Sequence, residues 1–217
     1  DKEKLIKSIE FKSAEIHSLG MHPTGEYFAV GTSKKMIEIR STFNGKLIKS
    51  LEGHIDTVSA VCFSPDGKFL YSADKRSNLI QWGTDKWNYI GTFDSRIDDP
   101  TIIDVNTTGD YLLVSNRESG QVWNTISSKP IQWYSDADAR RNANKINDII
   151  FYDSSKMFLV AKNDGTVSFI NFDATKEIDC WYAGYDGDFV ITTKDGNYMA
   201  SKGALDQIHF VDDMKVY

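Results

Sequence analysis

The sequence predicts an all-β fold assembled from repeated four-stranded antiparallel sheets. Three observations predict it. The stretch Gly53 to Trp82 alternates short apolar runs with tight polar turns. The turn inside that stretch recurs along the chain at a regular interval. Each copy of the turn is followed by an apolar run of strand length.

The organising stretch reads G-H-I-D-T-V-S-A-V-C-F-S-P-D-G-K-F-L-Y-S-A-D-K-R-S-N-L-I-Q-W. Val58 to Phe63 alternates apolar and polar residues, the period of a strand. Ser64-Pro65-Asp66-Gly67-Lys68 has turn chemistry, because Asp bonds its own backbone and Gly accepts a positive φ. A second run follows over Phe69 to Ser72, then a polar turn over Asp74 to Asn78, then a third run ending at Trp82. The first turn is matched by His22-Pro23-Thr24-Gly25-Glu26 and Asn106-Thr107-Thr108-Gly109-Asp110. Asp153 to Lys156 and Lys194 to Asn197 continue the series. Gly25, Gly67 and Gly109 lie 42 residues apart (67−25, 109−67), inside the period of about 40–45 expected of one repeated sheet.

The runs after these turns are Tyr27 to Val30, Phe69 to Tyr71, Tyr111 to Val114, Met157 to Val160 and Tyr198 to Ala200. A fourth strand is predicted over Lys46 to Leu51, Asn88 to Phe93, Pro130 to Tyr134 and Glu177 to Tyr182, with an isolated copy at Leu5 to Phe11. The chain thus begins on a fourth strand and ends, at Gln207 to Val211, on a third. A small sheet cannot bury its own faces, so such units must lean on one another.

The Gly53–Trp82 unit resembles one blade of a WD-repeat β-propeller, in which Gly-His opens the repeat and Trp-Asp closes its third strand. Gly83 stands here in place of that Asp. The resemblance implies a propeller of four-stranded blades, about five of them, over residues 12–53, 54–96, 97–138, 139–184 and 185–217, with residues 5–11 closing the last. Either a small closed ring or an arc of a seven-bladed one fits that phase. The charged start without Met, Asp1-Lys2-Glu3-Lys4, reads as a piece of a longer protein. The segment Asp188 to Ser201 with Ile208 to Val211 resembles the terminal blade of bacterial WD-repeat proteins, some of which carry caspase-like or other signalling domains. That likeness implies a bacterial type.

Composition narrows the function. The 31 acidic and 25 basic residues give a formal charge of −6, which argues against a dedicated nucleic-acid binder, whose affinity comes from phosphate contacts. No stretch is long and apolar enough to span a membrane as a helix, and the expected location is cytoplasmic. Cys62 and Cys180 are the only cysteines; both fall in predicted strands and read as reduced, buried thiols. Neither they nor the scattered His17, His22 and His209 form a metal motif. No nucleophile elbow, zinc-binding HExxH or phosphate-cradling loop is present. The expectation is no catalytic residue, no cofactor and no metal. Asp98-Asp99 is a weak carboxylate pair, since neighbouring side chains at a strand entry point apart.

Candidate residues follow from the resemblance. In WD repeats a His joins a Ser, an Asp and the Trp in a hydrogen-bonded set that locks the blade. Matching by position gives His54, Ser72 and Trp82 as structural residues, with the Asp position falling on Arg76, so that the set is broken. The same register puts Lys34 and Arg117 at that position in the neighbouring units and retains the acid only at Asp164. Turns from second to third strand share one end of a propeller with the inter-blade loops. That rim would carry Lys34, Lys35, Lys75, Arg76, Arg96, Arg117, Arg140 and Arg141, a basic field suited to an acidic protein or peptide partner. The competing reading is that Asp56, Asp74, Asp98, Asp99 and Glu118 neutralise it. The long loop Ser135 to Lys145 is a further binding candidate. Three functions are weighed. The first is a non-catalytic protein-interaction scaffold or sensor. The second is a regulatory arm of a larger bacterial signalling enzyme. The third is a propeller hydrolase or lyase with a central metal, for which Asp104 and Asp148 are the available carboxylates.

Overall fold

A computed structural model describes residues 8–11, 14–135, 145–152, 156–163, 165–172, 190–192, 198–200, 211–212 and 215–216. The chain divides into two compact units, Asp1–Tyr134 and Ser135–Tyr217. All regular structure among the described residues is β.

The first unit holds three four-stranded antiparallel sheets, each in simple sequence order. Sheet one is β1 (Ile16–Met21), β2 (Tyr27–Thr32), β3 (Met36–Ser41) and β4 (Leu47–Glu52). Sheet two is β5 (Val58–Phe63), β6 (Phe69–Asp74), β7 (Leu79–Gly83) and β8 (Asn88–Phe93). Sheet three is β9 (Ile102–Val105), β10 (Tyr111–Ser115), β11 (Ser119–Asn124) and β12 (Lys129–Ser135). This is the all-β, four-stranded architecture that the sequence predicts.

The turns explain the regular spacing. Gly25, Gly67 and Gly109 each donate their N–H to the residue three back, at 2.8, 2.9 and 2.9 Å, and take φ of 74°, 73° and 81°. At Gly67 a second constraint applies, because a Cβ there would lie 2.6 Å from the His22 ring. Three threonines then tie the opposite hairpin of each sheet to this turn. Thr42, Thr84 and Thr125 donate their hydroxyls to the carbonyls of Gly25, Gly67 and Gly109 at 2.6, 2.6 and 2.7 Å. That latch is legible in the sequence as a threonine recurring in step with the glycine.

Apolar faces of adjacent sheets form the core. Ala29, Ile37, Ile39 and Leu51 of sheet one pack with Val58, Val61, Leu70, Ile80 and Trp82 of sheet two. The other face of sheet two, with Tyr71, Ala73, Leu79 and Phe93, packs with Leu112, Val114 and Trp123 of sheet three. Sheet two is therefore covered on both sides, and β6 and β7 are buried almost throughout. The outer strands β4 and β8 are largely exposed.

The second unit contains the three-stranded sheet β13 (Ile146–Phe151), β14 (Met157–Lys162) and β15 (Val167–Asn171), and the pairs β16 (Val190–Thr192) with β17 (Tyr198–Ala200) and β18 (Val211–Asp212) with β19 (Lys215–Val216). The predicted fourth strand at Glu177 to Tyr182 lies outside the described residues. Residues 8–11 are irregular rather than strand, so the described part of the predicted Leu5–Phe11 strand does not pair. Phe11 lies instead beneath the Arg40 guanidinium, 4.6 Å away.

Candidate functional site

A connected polar constellation is buried in sheet two. Trp82 Nε1–H donates to Ser72 Oγ at 2.8 Å. Ser72 Oγ lies 2.7 Å from His54 Nε2, and His54 Nδ1 lies 3.1 Å from Asp74 Oδ2. One assignment of protons satisfies the whole chain: Ser72 donates to Nε2, and Nδ1–H donates to Asp74. Asp74 also accepts from the backbone N–H of Ile55 on Oδ2 and of Arg76 and Asn78 on Oδ1, at 3.0, 2.9 and 3.1 Å. The His54 and Asp74 side chains are fully buried. Burial pushes the Asp74 carboxyl up, but the hydrogen bonds from His54, Ile55, Asn78 and Arg76 outweigh it and hold the group well below the ordinary carboxylate range.

This corrects the register read from the sequence. The acid partner of His54 is Asp74, not the residue at Arg76, and the hydrogen-bonded set is complete. The reason is local. β6 continues through Asp74, which pairs with Val58, and its carboxylate then caps the turn. Arg76 is pushed to the exposed tip, where its Nε sits 3.2 Å from Asp56 Oδ2. Thr32, opposite Ile16 as Asp74 is opposite Val58, and Asn116, which follows the last paired residue Ser115, are the equivalents of Asp74, not Lys34 and Arg117. Asn116 repeats half of its work, accepting from Glu118 N and Ser119 N at 2.8 and 2.9 Å. Asp164 lies outside the described residues.

The tetrad anchors one end of the unit. Lys75 N bonds Thr57 O at 3.0 Å and Asp99 N bonds Lys75 O at 3.2 Å. Asn116 Nδ2 bonds Asp98 O at 2.8 Å. The β6–β7 turn is thereby stitched to the loops on either side, and Lys75, Arg76, Arg96 and Arg117 stand exposed around one loop cluster. Lys34 and Lys35 are exposed at the β2–β3 turn, with Lys35 at φ 62°. Arg140 and Arg141, and most of the loop from Ser135 to Lys145, lie outside the described residues. Acidic residues share this rim: Asp56 engages Arg76, and Asp98, Asp99 and Glu118 are exposed beside it. Asp74 takes no part in neutralising the rim, being buried in the tetrad.

The remaining candidates have structural occupations. Asp98 accepts from Ser77 Oγ at 3.3 Å, and Asp99 has φ 45°; the pair shapes a loop. Asp104 and Asp148 each accept from the backbone N–H of the next residue at 2.9 Å. Among the described residues no three His, Cys, Asp or Glu side chains gather as metal ligands do. Burial, with the nearby Asp104 charge, pushes the Cys62 thiol up to about 12, the opposite of a reactive cysteine. His22 is buried, with Nε2 3.0 Å from Gly67 O and Nδ1 accepting from Thr24 N at 3.2 Å. It ties the turn of sheet one to that of sheet two.

The WD40 family model (WD domain, G-beta repeat) matches residues 45–82. That segment runs from Gly45, just before β4, to Trp82 and contains the whole tetrad. A bromodomain and WD repeat-containing protein of Dictyostelium discoideum is 25% identical over 127 residues, 54% of this chain and 6% of its own length. The nuclear distribution protein PAC1 of Komagataella phaffii is 27% identical over 120 residues, 52% of this chain and 24% of its own length. The solved structure of U3-55K superposes with a TM-score of 0.66 at 18% identity, covering 88% of this chain and 62% of that one. Together these findings support a WD-repeat β-propeller. The two sequence relatives are eukaryotic, and the chain spans a small part of each.

Proposed function

We propose that this chain is a non-catalytic interaction module that binds a protein or peptide partner through its loop-bearing rim. WD-repeat relatives support a protein-interaction role in general. One observation carries the finer reading: a fully buried hydrogen-bonded relay holds the base of the rim loops rigid. Rigid loops bind without a large ordering cost. Of the exposed basic residues, Lys35, Lys75, Arg96 and Arg117 form no ion pair with another described residue, so they supply the charge that selects an acidic partner. A metal-centred enzyme would have to use Asp104 and Asp148, each of which already accepts the backbone N–H of the next residue.

The test is selection from a displayed library of random peptides on the full chain. Acidic sequences should be enriched, and the double reversal R96E/R117E should weaken the best of them at least about tenfold and flatten its salt dependence. Unchanged affinity would remove the rim as the binding surface. The bacterial reading rests on the likeness of the Asp188–Ser201 segment. On that reading the module is a regulatory arm of a longer signalling enzyme, and the complete reading frame tests it.

A further inference from the structure

The opposite end of the first unit carries a cleft that the rim reading does not use. It lies between sheets one and two and encloses about 820 Å³. Tyr27, Trp87, Phe69, Ile48 and Ile90 supply its apolar lining. Three independent features distinguish it from an ordinary gap between sheets.

The first is backbone strain. The β7–β8 turn puts Trp87 at φ 51°, where the equivalent residue of the β3–β4 turn is Gly45 at φ 70°. A bulky aromatic in this left-handed region is unusual and strained. The strain sets Trp87 edge-on to Tyr27, with ring centroids 5.7 Å apart. The second is a repeated bulge. The ladder skips one residue of β4 between Lys49 and Leu47 and one of β8 between Gly91 and Tyr89. The skipped residues are Ile48 and Ile90, which are 45% and 48% exposed and face the cleft. Bulges re-aim side chains in this way. The third is the surrounding surface. Phe43, at the tip of the β3–β4 turn, and Ile126, at the β11–β12 turn, lie outside the cleft lining at the same end of their sheets and are 93% and 83% exposed, a degree of apolar display that marks interaction surfaces.

Charge identifies the occupant. The lining holds two carboxylates and one ammonium. Lys68 is matched by Asp66 at 3.3 Å, and His22 is engaged on both ring nitrogens. Asp85 makes no hydrogen bond or ion pair to a described residue, and it sits on the same short turn as Trp87. A carboxylate with no ion-pair partner among the described residues, on the same turn as an indole, suits a cation. We infer that this cleft is a second docking site, for an extended peptide segment that presents a bulky apolar side chain next to a lysine or arginine. The apolar group packs against Ile48, Ile90 and Trp87, and the cation meets Asp85.

The same random-peptide selection separates this site from the rim. Clones pairing an aromatic or branched aliphatic residue with an adjacent Lys or Arg should be enriched. A fluorescently labelled copy of the best clone should bind the D85K chain at least about tenfold more weakly and the R96E/R117E chain unchanged. W87G gives this turn the residue of its counterpart in sheet one, and should abolish binding while urea unfolding shows the sheet retained. D85K, at an exposed turn, leaves the fold intact and decides the matter if W87G unfolds. Absence of such clones, or equal binding to the D85K chain, would overturn the inference while leaving the rim reading untouched. Loss of the acidic clones alone would do the reverse.

Discussion

Sheets two and three share one strand order and one pair of turns, yet only sheet two has the buried relay. Trp82 and Trp123 occupy the same place, paired with Leu70 and Leu112. Trp82 finds Ser72. At the matching position of β10 stands Val114, and Trp123 Nε1 is buried without a hydrogen-bond partner among the described residues. Gln121 Oε1 and Ser115 Oγ, also in sheet three, are orphaned as well. Sheet three nevertheless forms, because Leu112, Val114 and Trp123 bury their surfaces against sheet two. Burying a large apolar side chain is worth about 1.5–3 kcal/mol, enough to carry an unmet donor. Apolar packing between sheets makes the blade; the relay adds rigidity to the loops at one end.

That comparison breaks most sharply at the carboxylate. D74A strips the acceptor from His54 and three backbone N–H groups in a fully buried site, and should cost about 3–5 kcal/mol in urea unfolding. N116A, its counterpart in sheet three, removes a cap from a partly exposed turn and should cost about 1 kcal/mol. Near-equal losses would mean that the relay does nothing beyond the turn cap.

Exchanging the serine and valine comes next. S72V leaves both the Trp82 and His54 nitrogens unmet and should destabilise by about 2–4 kcal/mol. V114S trades buried methyl groups for an acceptor at Trp123 Nε1, and should change stability by no more than about 1 kcal/mol. A large loss in V114S would show that Val114 packing outweighs the orphaned donor.

The smallest effect is on pH. Asp74 is held below its unfolded value of about 3.9, so the stability it contributes is complete above that value. It is lost as the pH falls through the lower, folded value. Acid unfolding of the wild-type chain should therefore show a loss below about pH 4 that is shallower in D74N. The comparison sharpens if N116A leaves that acid limb unchanged.

Much of this was legible in the residues. Turn glycines 42 apart (67−25) and the runs behind them marked the second and fourth strands of the three sheets of the first unit, missing only strand ends. His54, Ser72 and Trp82 were recognisable from their resemblance to a WD repeat. Asp74 was not, because counting along a sequence does not say where a strand stops and its turn begins. The backbone decided that, by continuing the β5–β6 ladder to Val58 and Asp74. Ile48 and Ile90 read as ordinary residues of the predicted fourth strands, and nothing in the sequence singles out Trp87. A positive φ and a skipped ladder partner leave no mark on composition or periodicity.

By itself the sequence determined the repeating unit, since period-2 burial and turn chemistry are local properties of the chain. Only the tertiary structure decided which acid meets His54, which tryptophan nitrogen goes unmet, and that a cleft opens between sheets one and two. Those outcomes depend on which faces of separate sheets come together, and such contacts join residues far apart in sequence whose spacing no local pattern records.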